Sequence, residues 1–149
     1  MIVNTCSGAI SLAKLLESNS AKFYEDLSRS YAENGDVFIS FAKENASYIS
    51  QAQRAYHEAI TDAIEGCFTF SLDPESYAFE TELPRKVDYS EALERAIEIE
   101  DKIVRFYLDA AMQSKSLMAD VPRVFRLIAK KRSGRQMVLR SLLARTQST

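Results

Sequence analysis

The sequence has few of the residues that interrupt helices: four glycines and three prolines in 149 residues. That composition argues against a turn-rich sandwich or barrel, and the plentiful Ala, Leu, Glu, Lys and Arg favour helix. Cys6 and Cys67 form no Cys-x-x-Cys motif, so they predict no zinc site of paired cysteines. The single histidine, His57, leaves little scope for general acid–base chemistry. We therefore expect an all-α protein.

Long apolar runs are also missing from the sequence. None approaches the roughly 20 residues needed to cross a bilayer. The first residues lack the basic region of a secretory signal. We expect a cytoplasmic protein without a membrane partner, folded as a single domain over residues 1–149.

Helix-breaking residues divide the chain into four helical stretches. Asn34 and Gly35 end the first, Asp36 can cap the second, and Gly66 can end it in a left-handed conformation. Ser90 opens the third stretch, and a proline in a first turn opens the fourth. We predict the helices at about residues 7–33, 37–65, 90–116 and 122–144, with a long crossover at residues 66–89.

Each predicted helix has an apolar stripe with polar residues in the middle of it. Arg132 and Arg135, for example, continue the alternating three- and four-residue spacing of Phe125, Ile128 and Leu139, which places both on the inward face. The polar residues found within stripes are Glu17, Asn45, Tyr48, Glu100, Arg132 and Arg135.

The helices form an internal repeat. Residues 15–27 match residues 98–110, both with Glu followed by Phe-Tyr, and residues 37–48 match residues 124–135. One helical hairpin therefore occurs twice. Two hairpins joined by one long crossover predict an antiparallel four-helix bundle of the ferritin-like type.

These motifs resemble the rubrerythrin-like branch of the ferritin-like superfamily over nearly the whole chain. The resemblance implies two iron ions held by a Glu from the first helix of each hairpin and a Glu-x-x-His pair from the second. The activity that the resemblance implies is peroxide reduction, or iron oxidation and storage. Glu17 and Glu100 match the first-helix carboxylates. Asn45 and Tyr48, and likewise Arg132 and Arg135, stand where the resemblance places Glu and His.

Arginine is cationic and has no lone pair to donate, so we expect these substitutions to exclude a diiron site. The charges of Glu17 and Glu100 balance those of Arg132 and Arg135, which predicts a buried ionic cluster in place of iron. Asn45 and the hydroxyl of Tyr48 are expected to complete its hydrogen bonds. A group of inward tyrosines is expected around it: Tyr24, Tyr31, Tyr48 and Tyr107. Alternatively, the arginines reach solvent, aided by a kink at Gly134.

The function that we predict is a non-catalytic, metal-free scaffold or binding protein, acting as a homodimer or with another protein. Aromatic residues of the crossover are expected either to form its contact surface or, equally, to cover the bundle: Phe68, Phe70, Tyr77 and Phe79. A second hypothesis is an iron-dependent oxidoreductase that uses Glu17, Glu100, Asn45 and Tyr48, with both arginines outward. A third hypothesis is that the protein binds nucleic acid or an anionic surface through basic side chains of the fourth helix: Arg123, Arg126, Lys130, Lys131, Arg140 and Arg145. The net charge of −2 disfavours it.

Overall fold

A computed structural model describes residues 2–59, 70–83, 87–114 and 120–147. Within those ranges the chain is all-helical, as predicted, and contains no β-strand; one isolated bridge joins Val3 to Leu72. The described ranges contain four α-helices: α1 (Cys6–Ser30), α2 (Gly35–Ala59), α3 (Tyr89–Gln113) and α4 (Asp120–Gln147). No helix in these ranges has an apolar stretch sufficient to cross a bilayer.

The turn between α1 and α2 differs from the prediction. α1 ends at Ser30 and a short 3₁₀ turn, Ala32–Asn34, follows it. Gly35 has right-handed helical angles, with φ of −54°, so it begins α2 and does not end α1. Asp36 accordingly lies inside the first turn of α2. The predicted end of this helix at Gly66 lies outside the described residues.

The starts of the later helices also shift by a residue or two. Asp88, one position before Tyr89, caps α3: its Oδ1 accepts a hydrogen bond from the amide of Glu91 at 2.8 Å. Asp caps helices as readily as Ser. The prediction that this helix opens at Ser90 was therefore wrong, because the helix begins one residue earlier, at Tyr89. α4 begins before Pro122 and extends beyond the predicted end to Gln147.

The two hairpins are antiparallel. In the first, Tyr24 near the end of α1 packs against Phe38 and Phe41 near the start of α2, whereas Glu17 meets Asn45 further along. The second hairpin repeats this register: Tyr107 of α3 packs against Phe125 of α4, and Glu100 meets Arg132 further along.

Contacts between the hairpins fix the remaining directions. Glu17 of α1 meets Tyr107 of α3, and Tyr24 meets Glu100, so α1 and α3 are antiparallel. α2 and α4 also run in opposite directions. Hence α1 and α4 run one way, and α2 and α3 run the other.

The described part of the crossover covers the bundle. Leu72 exchanges backbone hydrogen bonds of 2.8 and 3.0 Å with Val3. Tyr77 packs edge-on against Phe106 and donates its hydroxyl to Asp109 at 2.6 Å. Phe70 and Tyr77 are buried and Phe79 is half-buried, whereas Phe68 lies outside the described residues. The prediction of an exposed contact surface is therefore wrong for Phe70 and Tyr77. Both side chains cover the bundle, as the alternative predicted.

Candidate functional site

The centre of the bundle holds a charged cluster, which consists of Glu17, Glu100, Arg132 and Arg135 and has Asn45 at its edge. All four charged residues are at most 4% exposed. Each comes from the mid-stripe position at which the sequence placed it, on α1, α3 or α4. The prediction of an inward cluster is confirmed, and the alternative of arginines reaching solvent is wrong.

Arg132 lies between the two glutamates. Its Nη1 donates to both carboxylate oxygens of Glu100, at 2.6 and 2.8 Å. Its Nε donates to Glu17 Oε2 at 3.2 Å, and Nη2 donates to Glu17 Oε1. The planar guanidinium fork matches a carboxylate with two parallel bonds, so one side chain links α1 to α3 through α4.

The remaining donor capacity of Arg132 is also used. Nη2 lies 3.3 Å from Asn45 Oδ1 and 3.5 Å from Ser20 Oγ. An arginine has five N–H donors, and these contacts engage every guanidinium nitrogen. Among the described residues, no buried side-chain nitrogen or oxygen lacks a hydrogen-bond partner. This saturation makes burial of a full charge tolerable.

Two tyrosines complete the glutamates in a reciprocal pattern. Tyr24 of the first hairpin donates its hydroxyl to Glu100 at 2.7 Å, and Tyr107 of the second donates to Glu17 at 2.6 Å. Their predicted role as anchors on the cluster is confirmed. Tyr31 lies elsewhere: it is half-buried at the end of the bundle and donates to the carbonyl of Val87.

Arg135 occupies a more peripheral position than Arg132. Its Nη1 donates to Asn45 Oδ1 at 2.9 Å, and its Nη2 donates to the carbonyl of Phe41 at 3.1 Å. Its distances to the carboxylates of Glu100 and the half-exposed Glu44 are both 3.6 Å. Arg135 is thus held mainly by neutral acceptors.

Asn45 bridges the helices through both ends of its amide. Its oxygen accepts from the two arginines, and its Nδ2 donates to the backbone carbonyl of Glu17 at 3.0 Å. The sequence analysis missed Ser20, which is fully buried beside Arg132. Its position three residues after Glu17, on the same helical face, was the available signal.

Tyr48 takes part through its ring. The guanidinium carbons of Arg132 and Arg135 each lie 5.5 Å from its ring centroid, within cation–π range. Arg135 also lies 4.5 Å from the ring centroid of Phe41 and 5.4 Å from that of Tyr24. The predicted hydroxyl contact of Tyr48 is replaced by the face of the ring, because the arginines approach from that side.

Electrostatics favour the charged form of Arg132. Burial alone disfavours a charged guanidinium, but Glu100 and Glu17 outweigh it and hold the pKa of Arg132 well above its usual range. Burial, followed by the nearby glutamate, also raises the pKa of Tyr24 and of Tyr107 well above the ordinary 10. Both hydroxyls therefore keep their protons and act as donors.

This centre does not fit a pair of iron ions. The guanidinium of Arg132 fills the space between the carboxylates of Glu17 and Glu100 and engages their oxygens. In the part of the chain that the structure describes, no group of three or more His, Cys, Asp or Glu side chains converges as a metal site. The oxidoreductase hypothesis required both arginines outward, and that premise is wrong.

His57 is exposed and contacts Tyr56.

Comparison with known proteins yields no match to a protein-family profile, a curated protein or a solved structure.

Proposed function

We propose that this chain is a ferritin-like, rubrerythrin-related bundle in which a buried Glu/Arg cluster has replaced the diiron centre, and that it serves as a non-catalytic scaffold or binding protein. The observation that carries the proposal is the position of Arg132. One cation lies between the glutamates from the two repeats, where the family resemblance places metal.

Helix directions and pseudo-symmetry support the ferritin-like part. The directions follow an up, down, down, up order, which requires a long connection between α2 and α3. The exchanged Tyr24–Glu100 and Tyr107–Glu17 hydrogen bonds relate the hairpins by an approximate two-fold axis. A duplicated hairpin with inward carboxylates is the arrangement from which a two-metal site is built.

Charge supports the loss of redox function. Glu17 and Glu100 supply two negative charges, and Arg132 and Arg135 supply two positive charges. The cluster is neutral without metal, so an added divalent cation would meet two fixed guanidinium groups. A protein whose interior is saturated in this way offers its surface for function.

The first test is metal content. Wild-type protein is incubated with Fe²⁺ without oxygen, desalted and measured by mass spectrometry; we expect far less than one iron per chain. Stoichiometric iron would overturn the loss of the metal site.

The second test restores the ligands that the resemblance implies, in the variant Asn45→Glu/Tyr48→His/Arg132→Glu/Arg135→His. We expect it to bind Co²⁺ and to gain thermal stability with the metal, because ligand binding to the native state stabilises it. The matched control adds Glu17→Gln, which removes one carboxylate and should weaken Co²⁺ binding. If the fourfold variant folds without acquiring Co²⁺ absorption, the ferritin-like assignment is wrong.

A further inference from the structure

The outer face of α3 and α4 carries an unusual set of exposed apolar side chains. This α3/α4 face is the side turned away from α1 and α2. Met137 and Met112, 73% and 69% exposed, are the most exposed large apolar side chains in the described ranges. Leu108 lies four residues before Met112 on the same face and is 49% exposed. Methionine is enriched at protein interfaces and adapts to irregular partners.

Charges of opposite sign lie beside these apolar groups on separate helices. α3 presents an acidic strip, and α4 presents a basic strip. The acidic strip consists of Glu94, Glu98 and Asp101, and the basic strip of Arg126, Lys130 and Arg140, all exposed. None of these six forms an ion pair with another described residue.

Three bases of α3 lie beside the acidic strip. Arg95 pairs with Glu91 at 3.9 Å, and Lys102 Nζ donates to the carbonyl of Ala78 in the crossover at 2.8 Å.

Arg105 is the third of these bases and is exposed. Its Nη2 donates to the carbonyl of Ser76 at 2.7 Å, and its guanidinium lies 5.7 Å from the ring centroid of Tyr77. These contacts draw it toward the crossover. The acidic strip therefore keeps its sign.

The register of the hairpin sets the strips at matching heights. Glu100 lies opposite Arg132, and Asp101 bonds to Gln136. Moving back along α3 from these pairs moves forward along α4, because the helices are antiparallel. Arg140 is consequently level with the turn of α3 that carries the other acidic residues.

We propose that the α3/α4 face binds a second copy of this chain, related by a two-fold axis parallel to the helices. Such a rotation places α3 of each copy on α4 of the other and preserves height. Glu94 and Glu98 of one copy then meet Arg140 of the other, and Asp101 approaches Lys130. The contact is made twice and closes, so it yields a dimer without further growth.

The size of the face is adequate for this contact. At 1.5 Å per residue, the 25 residues of α3 span about 37 Å. Two helices packed about 10 Å apart give a footprint of roughly 700 Å² per copy. Stable interfaces bury about 800 Å² per partner. This inference rests on the scaffold role proposed above, because it names the partner for that role. The two proposals can fail separately, since iron content tests the loss of the metal site and molar mass tests the dimer.

The experiment measures molar mass by sedimentation equilibrium for wild type, Arg140→Glu and Glu94→Lys/Glu98→Lys. We expect wild type to be a dimer that weakens with added salt. Each variant should dissociate with a Kd at least about tenfold higher, because like charges then face each other. These positions are exposed, so circular dichroism should show both variants folded. Lys22→Glu, at an exposed position on α1, is the matched control and should dimerise as wild type does.

Mixing the two variants is the decisive arm. In a mixed dimer, the altered α4 meets the altered α3 and the two unaltered helices meet each other, so both contacts regain opposite charges. We expect an equimolar mixture to recover dimer. A monomeric wild type, variants that dimerise like wild type, or a mixture that stays monomeric each overturns the proposal. So does a monomer that binds vesicles of phosphatidylserine and phosphatidylcholine.

Discussion

The two hairpins share a frame but supply different chemistry to the centre. α1 and α3 are equivalent: each contributes one glutamate and one tyrosine, and each tyrosine bonds to the other hairpin's glutamate. α2 and α4 are not equivalent. α2 contributes Asn45 and the ring of Tyr48, whereas α4 contributes both cations.

This difference shows how a symmetric frame holds an asymmetric charge distribution. Arg132 reaches both carboxylates, so a single cation serves both halves. Asn45, its counterpart in α2, has no charge and accepts from both arginines instead. Two guanidinium groups fit in one buried centre because the opposite helix supplies an amide oxygen and an aromatic face where a further charge would otherwise stand.

Arg132→Met should have the largest effect on stability. It leaves two buried carboxylates without their shared cation, which costs about 3 to 5 kcal/mol in the free energy of unfolding. Urea denaturation measures the loss. Lys131→Met, at the exposed neighbouring position, is the control and should change stability by less than about 0.5 kcal/mol. A loss of that small size for Arg132→Met would contradict the central role of the cation.

Arg135→Met sharpens the comparison within α4. Since Arg135 bonds mainly to the neutral acceptors Asn45 and Phe41, we expect a smaller loss, about 2 to 3 kcal/mol, in the same measurement. Arg135→Lys, which keeps the charge but lacks the fork, should lose less. A loss above that of Arg132→Met would reverse the ranking of the two arginines.

Tyr24→Phe and Tyr107→Phe test the equivalence of α1 and α3. Each removes one hydroxyl donor from a buried carboxylate, and both should cost about 1.5 kcal/mol. Tyr31→Phe, which removes a donor to a backbone carbonyl away from the cluster, serves as the control and should cost less. Losses that differ widely between Tyr24 and Tyr107 would show that the frame is not symmetric.

The same tyrosines predict a pH dependence. Their pKa values are raised in the folded state, so the unfolded chain releases these protons first as pH rises. Stability from this source is complete below pH 10, the usual tyrosine pKa, and is lost above it. Denaturation midpoints measured on either side of that pH should fall less in the Tyr24→Phe/Tyr107→Phe protein than in wild type.

Gly134→Ala has the smallest expected effect and the opposite sign. Gly134 is exposed within α4, and a Cβ there meets nothing within 4 Å, so alanine should stabilise the protein by about 0.5 to 1 kcal/mol. Gly8→Ala is the contrast: a Cβ there lies 3.0 Å from Thr5 Oγ1 and from Val3 Cγ1, so no comparable gain is expected. Thermal melts of both variants distinguish the two sites.

Helical periodicity was sufficient to predict the cluster from the sequence. The spacing of Arg132 and Arg135 within an apolar stripe placed them inward, and the repeat paired Glu17 with Glu100. Gly134 does not interrupt α4, and both arginines are buried. The helical period of the apolar stripe determined the inward direction of the arginines, and a single glycine did not override it.

Local details were harder to predict because different residues perform the same task. Asp88 and Ser90 are both good caps, and only the folded backbone selects Asp88. A buried serine such as Ser20 has no distinctive pattern on a helix. The choice between ring and hydroxyl at Tyr48 depends on the direction from which the arginines approach, and that direction is set by tertiary packing.

Arg132 lies on α4, which is synthesised after α1 and α3, and this order has a consequence for folding during biosynthesis. A ribosome releases α1 and α3, with their carboxylates, before it completes α4. Until the last helix emerges, a closed core would force two anions together without a counterion. The first three helices are therefore expected to remain open until α4 has been synthesised, and α4 is expected to complete the packed core of the bundle.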